Sequence, residues 1–361
     1  MQEEMDYRGR QLRLAQALAQ RGLHALLVTH LPNVRYLCGF TGSAGVLLVG
    51  QKATFFTDGR YREQARTEIH NARVVVSKGP LLEAVATALH MAKVKQVGVE
   101  AQHMTVATMR DLSHAFRNQG RLVQTRGMVE QQRVVKEPAE VERIRKAVLV
   151  GSSLFDSAVK AIHPGLPETA VAAELEYAAR RAGADAMSFE TIVASGPRSA
   201  LPHGRASAQP IPARGFVVLD FGVILGGYCS DMTRTVYVGK PTAEGRGMYE
   251  AVREAQQAAV QAVRPGCTTG EVDRAARSSL RRSGLAKYFT HSTGHGVGLE
   301  IHEPPRVAAR QQENLRPGMV ITIEPGVYVP GVGGVRIEDM VVVTERGCEV
   351  LTPTTKELLA L

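Results

Sequence analysis

The first part of the chain alternates amphipathic segments with short apolar runs. Residues 4–21 carry apolar side chains at helical spacing, with Leu14 and Leu18 on one stripe. Two apolar runs, Gly45–Val49 and Ala53–Thr57, flank a short linker and predict a hairpin. Further strands are predicted over residues 25–28, 73–76 and 96–99, and further helices from Tyr61, over 81–91 and over 104–116. Strands separated by such helices predict a mainly parallel, layered α/β domain over residues 1–134.

A helix start marks the beginning of a second predicted domain, residues 135–361. Glu137 precedes Pro138, which suits the first turn of a helix, and acidic residues fill that turn. Long helices are predicted over residues 138–161 and 167–182. β-branched residues and glycine are frequent after them, and strands are predicted over residues 216–220, 233–238, 320–323 and 335–343. The pattern indicates an α+β domain with an antiparallel sheet.

Composition and charge narrow the classes of function. The 361 residues are 44% hydrophobic and 22% charged, which is typical of a globular protein, and the net charge is +9. No dense Lys/Arg block accompanies that charge, so we expect no nucleic-acid partner. No apolar run approaches the ~20 residues of a membrane span, so we expect no membrane segment. The charged N-terminus and four scattered cysteines favour a cytoplasmic protein with reduced thiols.

Two carboxylates flank a predicted hairpin in the segment FVVLDFGVILGGYCSDMTRT. Gly226 and Gly227 suit a two-residue turn, because primed hairpin turns need positive φ. With that turn, Asp220 and Asp231 become diagonal cross-strand neighbours, ~7–8 Å apart at the backbone. Asp220 also closes an apolar run, and a buried carboxylate needs partners or a metal. The pair is therefore predicted to converge on cations.

Three histidines fall within the twelve residues of a glycine-rich segment, HSTGHGVGLEIH. They are His291, His295 and His302. Glycines on both sides of His295 allow the backbone to approach a ligand closely. The motif is not the helical zinc-binding one, because Pro304 and Pro305 follow and end any helix. A lone histidine is more often structural, but three together favour a functional site.

Acidic residues also occur in the last two predicted strands. Strand alternation places Thr322 and Glu324 on one face. Arg336 and Glu338 likewise share a face, although that pattern alone is more typical of a surface strand. The clusters together supply four carboxylates and one imidazole, which favour Mn²⁺ over structural Zn²⁺ and also admit Zn²⁺, Co²⁺ or Fe²⁺. No nucleophile elbow, P-loop or cysteine-nucleophile motif competes with a metal site.

These motifs resemble those of the pita-bread metallopeptidases, in the branch of Xaa-Pro aminopeptidases and Xaa-Pro dipeptidases (prolidases). LDFG, SDMTRT, HSTGHGVGL, IEPG and GVRIED match in order and spacing, and NVRYLCGFTGS with TDGRY resembles a creatinase-type N-terminal domain. The resemblance covers most of the chain. It implies an α+β fold, with an N-terminal α/β domain over residues 1–134 and a catalytic domain with a curved antiparallel sheet over residues 135–361.

The resemblance also implies roles for individual residues. The implied ligands of two divalent metal ions are Asp220, Asp231, His295, Glu324 and Glu338. The implied catalytic groups are His203, Glu324 and His302. The matched substrate-binding positions are His291, His302, Tyr328 and Arg336. Mn²⁺ is the favoured ion, with Co²⁺ or Zn²⁺ as alternatives, and the expected partners are proline-containing peptides and a second copy of the chain.

The resemblance leaves more than one activity open. We expect a Xaa-Pro aminopeptidase, which removes the residue before proline from the N-terminus of peptides. The alternative is a Xaa-Pro dipeptidase, which needs a group that blocks the C-terminal side of proline. A more remote alternative is a non-peptidase of the same fold, such as an amidinohydrolase or a binding scaffold, but such relatives have lost ligands that this chain keeps. A methionine aminopeptidase of the same superfamily is disfavoured, because that class typically lacks the N-terminal domain.

Overall fold

The computed structural model describes residues 5–117 and 119–361. The chain divides into two units, one ending at Arg133 and the other spanning Val134–Leu361. Within the described residues, no helix is both long and apolar enough to cross a membrane.

The N-terminal unit has one sheet, in the strand order β4-β3-β2-β1-β5-β6, with helices between the strands. Its helices are α1 (Tyr7–Gln20), α2 (Leu31–Cys38), α3 (Arg62–Glu68), α4 (Leu81–Met91), α5 (Val106–Ala115) and α6 (Glu130–Arg133), and Gly59–Tyr61 is a short 3-10 helix. Its strands are β1 (Ala25–Val28), β2 (Gly45–Val49), β3 (Ala53–Thr57), β4 (Ala72–Val76), β5 (Gln96–Glu100) and β6 (Arg121–Thr125).

The structure confirms a layered α/β arrangement in this unit and shows a mixed sheet. The predicted hairpin is β2–β3, and β2 also pairs antiparallel with β1. The other strand pairs, β1–β5, β3–β4 and β5–β6, are parallel. The helix predicted over residues 4–21 corresponds to α1, and Glu4 lies outside the described residues. The predicted elements do not include α2, which has a proline in its first turn, nor β6 and α6.

The C-terminal unit combines helices with antiparallel sheets. Its helices are α7 (Pro138–Ala161), α8 (Glu168–Arg181), α9 (Ala243–Ala262) and α10 (Thr269–Arg282), with 3-10 helices at Gly196–Ala200 and Ala286–Tyr288. Its strands are β7 (Ala186–Met187), β8 (Ile192–Ser195), β9 (Gly215–Phe221), β10 (Val223–Leu225), β11 (Tyr228–Cys229), β12 (Met232–Val238), β13 (Gly294–Gly296), β14 (Glu303–Val307), β15 (Val320–Ile323), β16 (Gly326–Val329), β17 (Gly333–Arg336), β18 (Asp339–Val343) and β19 (Cys348–Val350). The sheets have the orders β12-β9-β8, β11-β10-β7, β14-β13-β15-β18-β19 and β16-β17.

The predicted glycine turn is confirmed. Gly226 and Gly227 have φ angles of 56° and 82°, and β10 pairs with β11 across them. The longer strands β9 and β12 continue the same register, with Thr233 opposite Asp220. Asp231 is therefore the diagonal neighbour of Asp220, as the sequence predicts.

Alternation along β9 separates a packed face from a polar one. Val217, Leu219 and Phe221 are buried in a hydrophobic cluster that includes residues of α7 and α8. Asp220 lies on the opposite face, because successive strand side chains alternate. Burial of each such apolar side chain contributes about 1.5–3 kcal/mol, and a one-residue slip would exchange the two faces. The apolar positions thus fix which way Asp220 points.

Other parts of this unit differ from the predicted elements. The sequence predicts one strand over residues 335–343, but the chain turns at Ile337 and Glu338 and forms β17 and β18, which belong to different sheets. The turn is held by the Glu338 N–H, which donates to the Thr233 carbonyl at 3.1 Å. The predicted elements also omit α9. The basic stretch 274–282, whose pattern predicts an exposed helix face, lies in α10, which begins with a capping box of Thr268 and Glu271.

Candidate metal centre

The side chains predicted as metal ligands line a single cleft of the C-terminal unit. The cleft has a volume of about 1040 Å³. Asp220 lies in β9, Asp231 directly precedes β12, His295 lies in β13, Glu324 follows β15, and Glu338 lies between β17 and β18. Strands from different sheets therefore deliver carboxylates to a common point.

His295 lies between two of the carboxylates. Its Nε2 is 3.6 Å from Asp231 Oδ2 and 3.6 Å from Glu324 Oε1. Its Nδ1 is 3.1 Å from the carbonyl oxygen of Gly296, so the proton belongs on Nδ1 and the Nε2 lone pair faces the acids. Ligand atoms of Asp231, His295 and Glu338 all lie within 4.8 Å of one another, a spacing that a shared cation can bridge.

Thr233, which is not among the site residues predicted from the sequence, holds the predicted ligand Glu338 in place. Its Oγ1 donates to Glu338 Oε2 at 2.7 Å and accepts from Arg336 Nε at 3.1 Å. The only sequence signal for this role is position: Thr233 follows Asp231 by two residues, so both point to one strand face.

Thr322 has a similar role on the neighbouring sheet. Its Oγ1 accepts from the backbone N–H of His295 at 3.1 Å and lies 3.5 Å from Glu324 Oε1. This contact agrees with the predicted alternation, which places Thr322 and Glu324 on one face. Both threonines restrict the rotamers of the side chains they touch.

Burial and mutual repulsion disfavour the ionised form of the clustered carboxyl groups when no cation is bound. Burial raises the pKa of Asp231 well above its ordinary value, and the neighbouring charges of Glu338 and Asp220 raise it further. Burial likewise raises the pKa of Glu338 well above its ordinary value and that of Glu324 to about 8. Burial lowers the pKa of His295 to about 4, so its imidazole is neutral at pH 7. Bound cations would remove the repulsion and bind the neutral ring.

Some oxygens of the cluster lack a hydrogen-bond partner. Among the described residues, Oδ1 of Asp220 and Oδ1 of Asp231 are buried and unpaired. Buried polar atoms are nearly always paired, and leaving one unpaired costs about 1–3 kcal/mol. A divalent cation would pair both atoms, and the oxygen-rich donor set suits such an ion. The residues therefore fit a metal centre.

A chain of hydrogen bonds borders the carboxylates. Arg336 donates from Nη2 to Asp220 Oδ2 and from Nη1 to Tyr328 Oη at 2.6 Å. His291 Nδ1 lies 2.8 Å from the Ser292 carbonyl, which leaves its Nε2, 2.9 Å from Tyr328 Oη, to accept the phenol proton. Burial lowers the pKa of His291 to about 4 and raises that of Tyr328 to about 12, so both remain neutral.

Arg336 makes two further hydrogen bonds, to Thr233 Oγ1 from Nε and to the Pro202 carbonyl from Nη1, at 3.1 Å each. Four of the five N–H groups of a guanidinium are then used. The remaining N–H cannot grip a substrate carboxylate with two parallel bonds. The resemblance implies that Arg336 binds substrate, whereas these contacts favour a role in positioning Asp220 and Tyr328.

The other histidines predicted as catalytic line the same cleft. The ring of His302 lies edge-to-face with the ring of His295, at a centroid distance of 4.4 Å. Burial lowers the pKa of His302, so the neutral ring keeps one N–H that can donate. His203 directly follows Pro202 and is exposed to the cleft.

The comparisons with known proteins agree with this geometry. Residues 142–345 match metallopeptidase family M24, and residues 10–135 match the creatinase/prolidase N-terminal domain. A fold and cleft of this kind define a metal-dependent hydrolase that cleaves peptides. The chain belongs to metallopeptidase family M24, whose enzymes use divalent metals. The resemblance stated from the sequence is thereby confirmed.

Several relatives match over nearly the whole chain. The Xaa-Pro dipeptidase from Bacillus anthracis is 40% identical with a TM-score of 0.96, covering 99% of this chain and 100% of that one. The Xaa-Pro dipeptidase of Pyrococcus horikoshii is 37% identical over 96% of this chain and 97% of its own. The X-Pro aminopeptidase from Thermotoga maritima is 36% identical with a TM-score of 0.91, covering 98% and 100%. The predicted fold class is confirmed.

Proposed function

We propose that the chain is a Xaa-Pro dipeptidase, which hydrolyses the bond between an N-terminal residue and a C-terminal proline. The sequence motifs favour the aminopeptidase, with the dipeptidase as the alternative. The dipeptidases of Bacillus anthracis and Pyrococcus horikoshii support that alternative, because they are 40% and 37% identical over nearly the full chain, against 36% for the Thermotoga maritima aminopeptidase. The gathering of four carboxylates and the neutral His295 in one cleft is the observation that carries the hydrolytic assignment.

The proposal places two divalent cations in the cleft, with Mn²⁺ favoured and Co²⁺ or Zn²⁺ as alternatives. The proposed ligands are Asp220, Asp231, His295, Glu324 and Glu338. Asp231 and Glu338 are proposed to contact both ions. The unpaired buried oxygens and the raised carboxyl pKa values support this assignment.

The proposed chemistry divides between the ions and the protein. When bound, the ions would supply Lewis-acid polarisation of the scissile carbonyl and of the attacking water. Glu324 accepts the proton of that water and returns it to the ring nitrogen of proline, which must be protonated to leave. The Thr322 hydroxyl accepts from the backbone N–H of His295 and contacts Glu324, so it links this base to the strand that carries His295.

The histidines and the tyrosine complete the proposed site. His302 donates an N–H to the carbonyl oxygen as its negative charge develops, and His203 is the second such donor lining the cleft. His291 lines the cleft and offers its ring face to proline, and Tyr328, which is buried behind it and does not line the cleft, holds that ring through a hydrogen bond. Arg336 holds Asp220 and Tyr328 at their observed positions.

The rates on three peptides test the proposal. With Mn²⁺ present, Ala-Pro should be cleaved at least ~10-fold faster than Ala-Ala, because only proline fills the ring pocket. Ala-Pro should also be cleaved faster than Ala-Pro-Ala. Equal rates on Ala-Pro and Ala-Ala would contradict the proline assignment. Faster cleavage of Ala-Pro-Ala would restore the aminopeptidase.

Some finer features remain proposals from the resemblance. They are a domain division into residues 1–134 and 135–361, a homodimer, and a cytoplasmic location. Light scattering of the purified chain tests the homodimer directly. A monomer at micromolar concentration would contradict it.

A further inference from the structure

One row of residues extends from the carboxylate cluster along the sheet. Ile192 of β8 lies directly opposite Asp220 of β9, and on its other side Ile192 forms an antiparallel bridge with Arg205. Directly opposite residues in antiparallel pairs point to the same face. All three side chains do line the cleft. Since neighbouring strands are ~4.8 Å apart, the backbone of Arg205 lies ~10 Å from that of Asp220.

The row changes in chemistry along its length. It begins at Asp220 in the catalytic cluster and continues over the aliphatic side chain of Ile192, beside which Phe189 also lines the cleft. It ends at an ion pair, in which Arg205 Nε lies 2.9 Å from Glu190 Oε2. An apolar stretch followed by a charged end matches the side chain of a long charged amino acid.

The direction of a bound dipeptide follows from the proposed function, on which this inference rests. The proline ring is assigned to His291, which lines the cleft and is linked to Asp220 through Tyr328 and Arg336. The scissile carbonyl lies at the cluster itself. The side chain of the residue before proline must then leave the cluster by another route, and the row through Ile192 provides one.

We propose that Ile192 and Arg205 form the subsite for the residue before proline, and that Arg205 selects long acidic side chains there. A glutamate at this position lays its methylene groups along Ile192 and its carboxylate against the guanidinium. Short side chains such as alanine do not reach Arg205. The enzyme therefore prefers Glu-Pro to the isosteric Gln-Pro.

The bonding of Arg205 explains why it favours an acid. The ion pair with Glu190 is made at its Nε, and neither Nη1 nor Nη2 donates a hydrogen bond to another described residue. Those nitrogens can bind a second carboxylate in a two-pronged contact. Arg306, opposite His295 in the β13–β14 pair, is a further cation lining the cleft. Glu190 therefore orients Arg205 and leaves Nη1 and Nη2 for a substrate carboxylate.

The expected size of the effect is modest, because the pair is solvated. The side chains of Arg205 and Glu190 are 73% and 58% exposed. Exposed charge pairs contribute about 0.2–1 kcal/mol, which corresponds to a factor of about 1.4–5. Loss of the Arg205 charge should lower the Glu-Pro to Gln-Pro ratio of kcat/KM by that factor. The ratio should also shrink toward one at high salt.

The test uses the full chain loaded with Mn²⁺ and the substrates Glu-Pro, Gln-Pro and Leu-Pro. Arg205→Gln should lower the Glu-Pro to Gln-Pro ratio about 1.4- to 5-fold and leave the Gln-Pro to Leu-Pro ratio near its original value. Arg205→Lys should keep part of the preference, and Glu190→Gln should raise it. A merely structural role of the pair would instead lower all three rates together.

Binding gives a second readout that does not depend on turnover. The Kd of reduced-amide analogues of Glu-Pro and Gln-Pro should follow the same ratio in the wild type and in Arg205→Gln. Arg306→Gln is the matched variant, since it removes the same charge from the same cleft. If Arg306→Gln abolishes the ratio and Arg205→Gln does not, the inference is overturned.

The outcomes separate this inference from the proposed function. A wild type that does not cleave Leu-Pro contradicts the dipeptidase assignment. A wild type that cleaves Leu-Pro but shows equal kcat/KM for Glu-Pro and Gln-Pro overturns only the role of Arg205. A wild-type preference for Glu-Pro that disappears in Arg205→Gln supports it.

Discussion

Removal of the metal should give the protein an unusual dependence of stability on pH. Without cations, burial raises the pKa of Glu324 from 4.5 to about 8. A carboxyl whose pKa is higher in the folded state stabilises that state when protonated. This stabilisation is complete below pH ~4.5 and is lost as the pH rises through about 8. Burial raises the pKa values of Asp231 and Glu338 in the same direction.

The size of the effect follows from the shift. Each pKa unit corresponds to about 1.36 kcal/mol, so Glu324 alone could cost the metal-free protein ~4 kcal/mol between pH 5 and pH 8. In a unit of roughly 230 residues, 1 kcal/mol moves Tm by about 2–4 °C. Tm of the metal-free protein should thus fall by ~10 °C across this window. The Mn²⁺-loaded protein should show little of this fall, because cations favour the ionised acids.

Differential scanning calorimetry of chelator-treated protein from pH 5 to pH 8.5 measures this dependence. Glu324→Gln is the control, because it removes one titrating group. It should reduce the slope of the unfolding free energy against pH by the equivalent of about one proton. A metal-free Tm that stays constant or rises over this range would refute the reasoning. The reasoning would also be refuted if Tm of Glu324→Gln fell with pH as steeply as Tm of the metal-free wild type.

Further substitutions test individual contacts. Thr233→Val removes the hydroxyl that donates to Glu338 and should lower Mn²⁺ affinity by about 10- to 100-fold in calorimetric titration, whereas Thr233→Ser should not. Arg336→Met leaves Asp220 without its ion-pair partner and should cost about 3–5 kcal/mol in urea unfolding; wild-type stability would contradict the positioning role. Gly226→Val, at φ 56°, should cost about 1–2 kcal/mol, and Gly226→Asn clearly less, because asparagine tolerates this conformation.

The hairpin of β9 to β12 shows how far local sequence signals reach. Two adjacent glycines specify a turn with positive φ, and that turn alone fixes the register in which Asp220 and Asp231 are diagonal neighbours. Apolar alternation along β9 then decides the face. Each step needs only nearby residues, so the sequence predicts this part of the site.

Non-local contacts set the limits of such prediction. Residues 335–338 alternate apolar and charged side chains and an apolar run follows from Met340, so the pattern predicts one strand over residues 335–343. The chain nevertheless turns at Glu338, where Arg234 donates to the Glu338 carbonyl and forms a buried ion pair with Asp339 at 2.7 Å. The hydrogen bonds that occupy the guanidinium of Arg336 likewise depend on Pro202 and Tyr328, which lie in other segments. Neither arrangement leaves a periodic signal in the sequence.

Diffraction from crystals grown with Mn²⁺, with data collected at the manganese absorption edge, tests the central claim most directly. The account predicts two anomalous peaks in the cleft of each chain, both contacted by Asp231 and Glu338, with His295 Nε2 facing one of them. An absence of peaks among these side chains, or peaks confined to other sites, would contradict it.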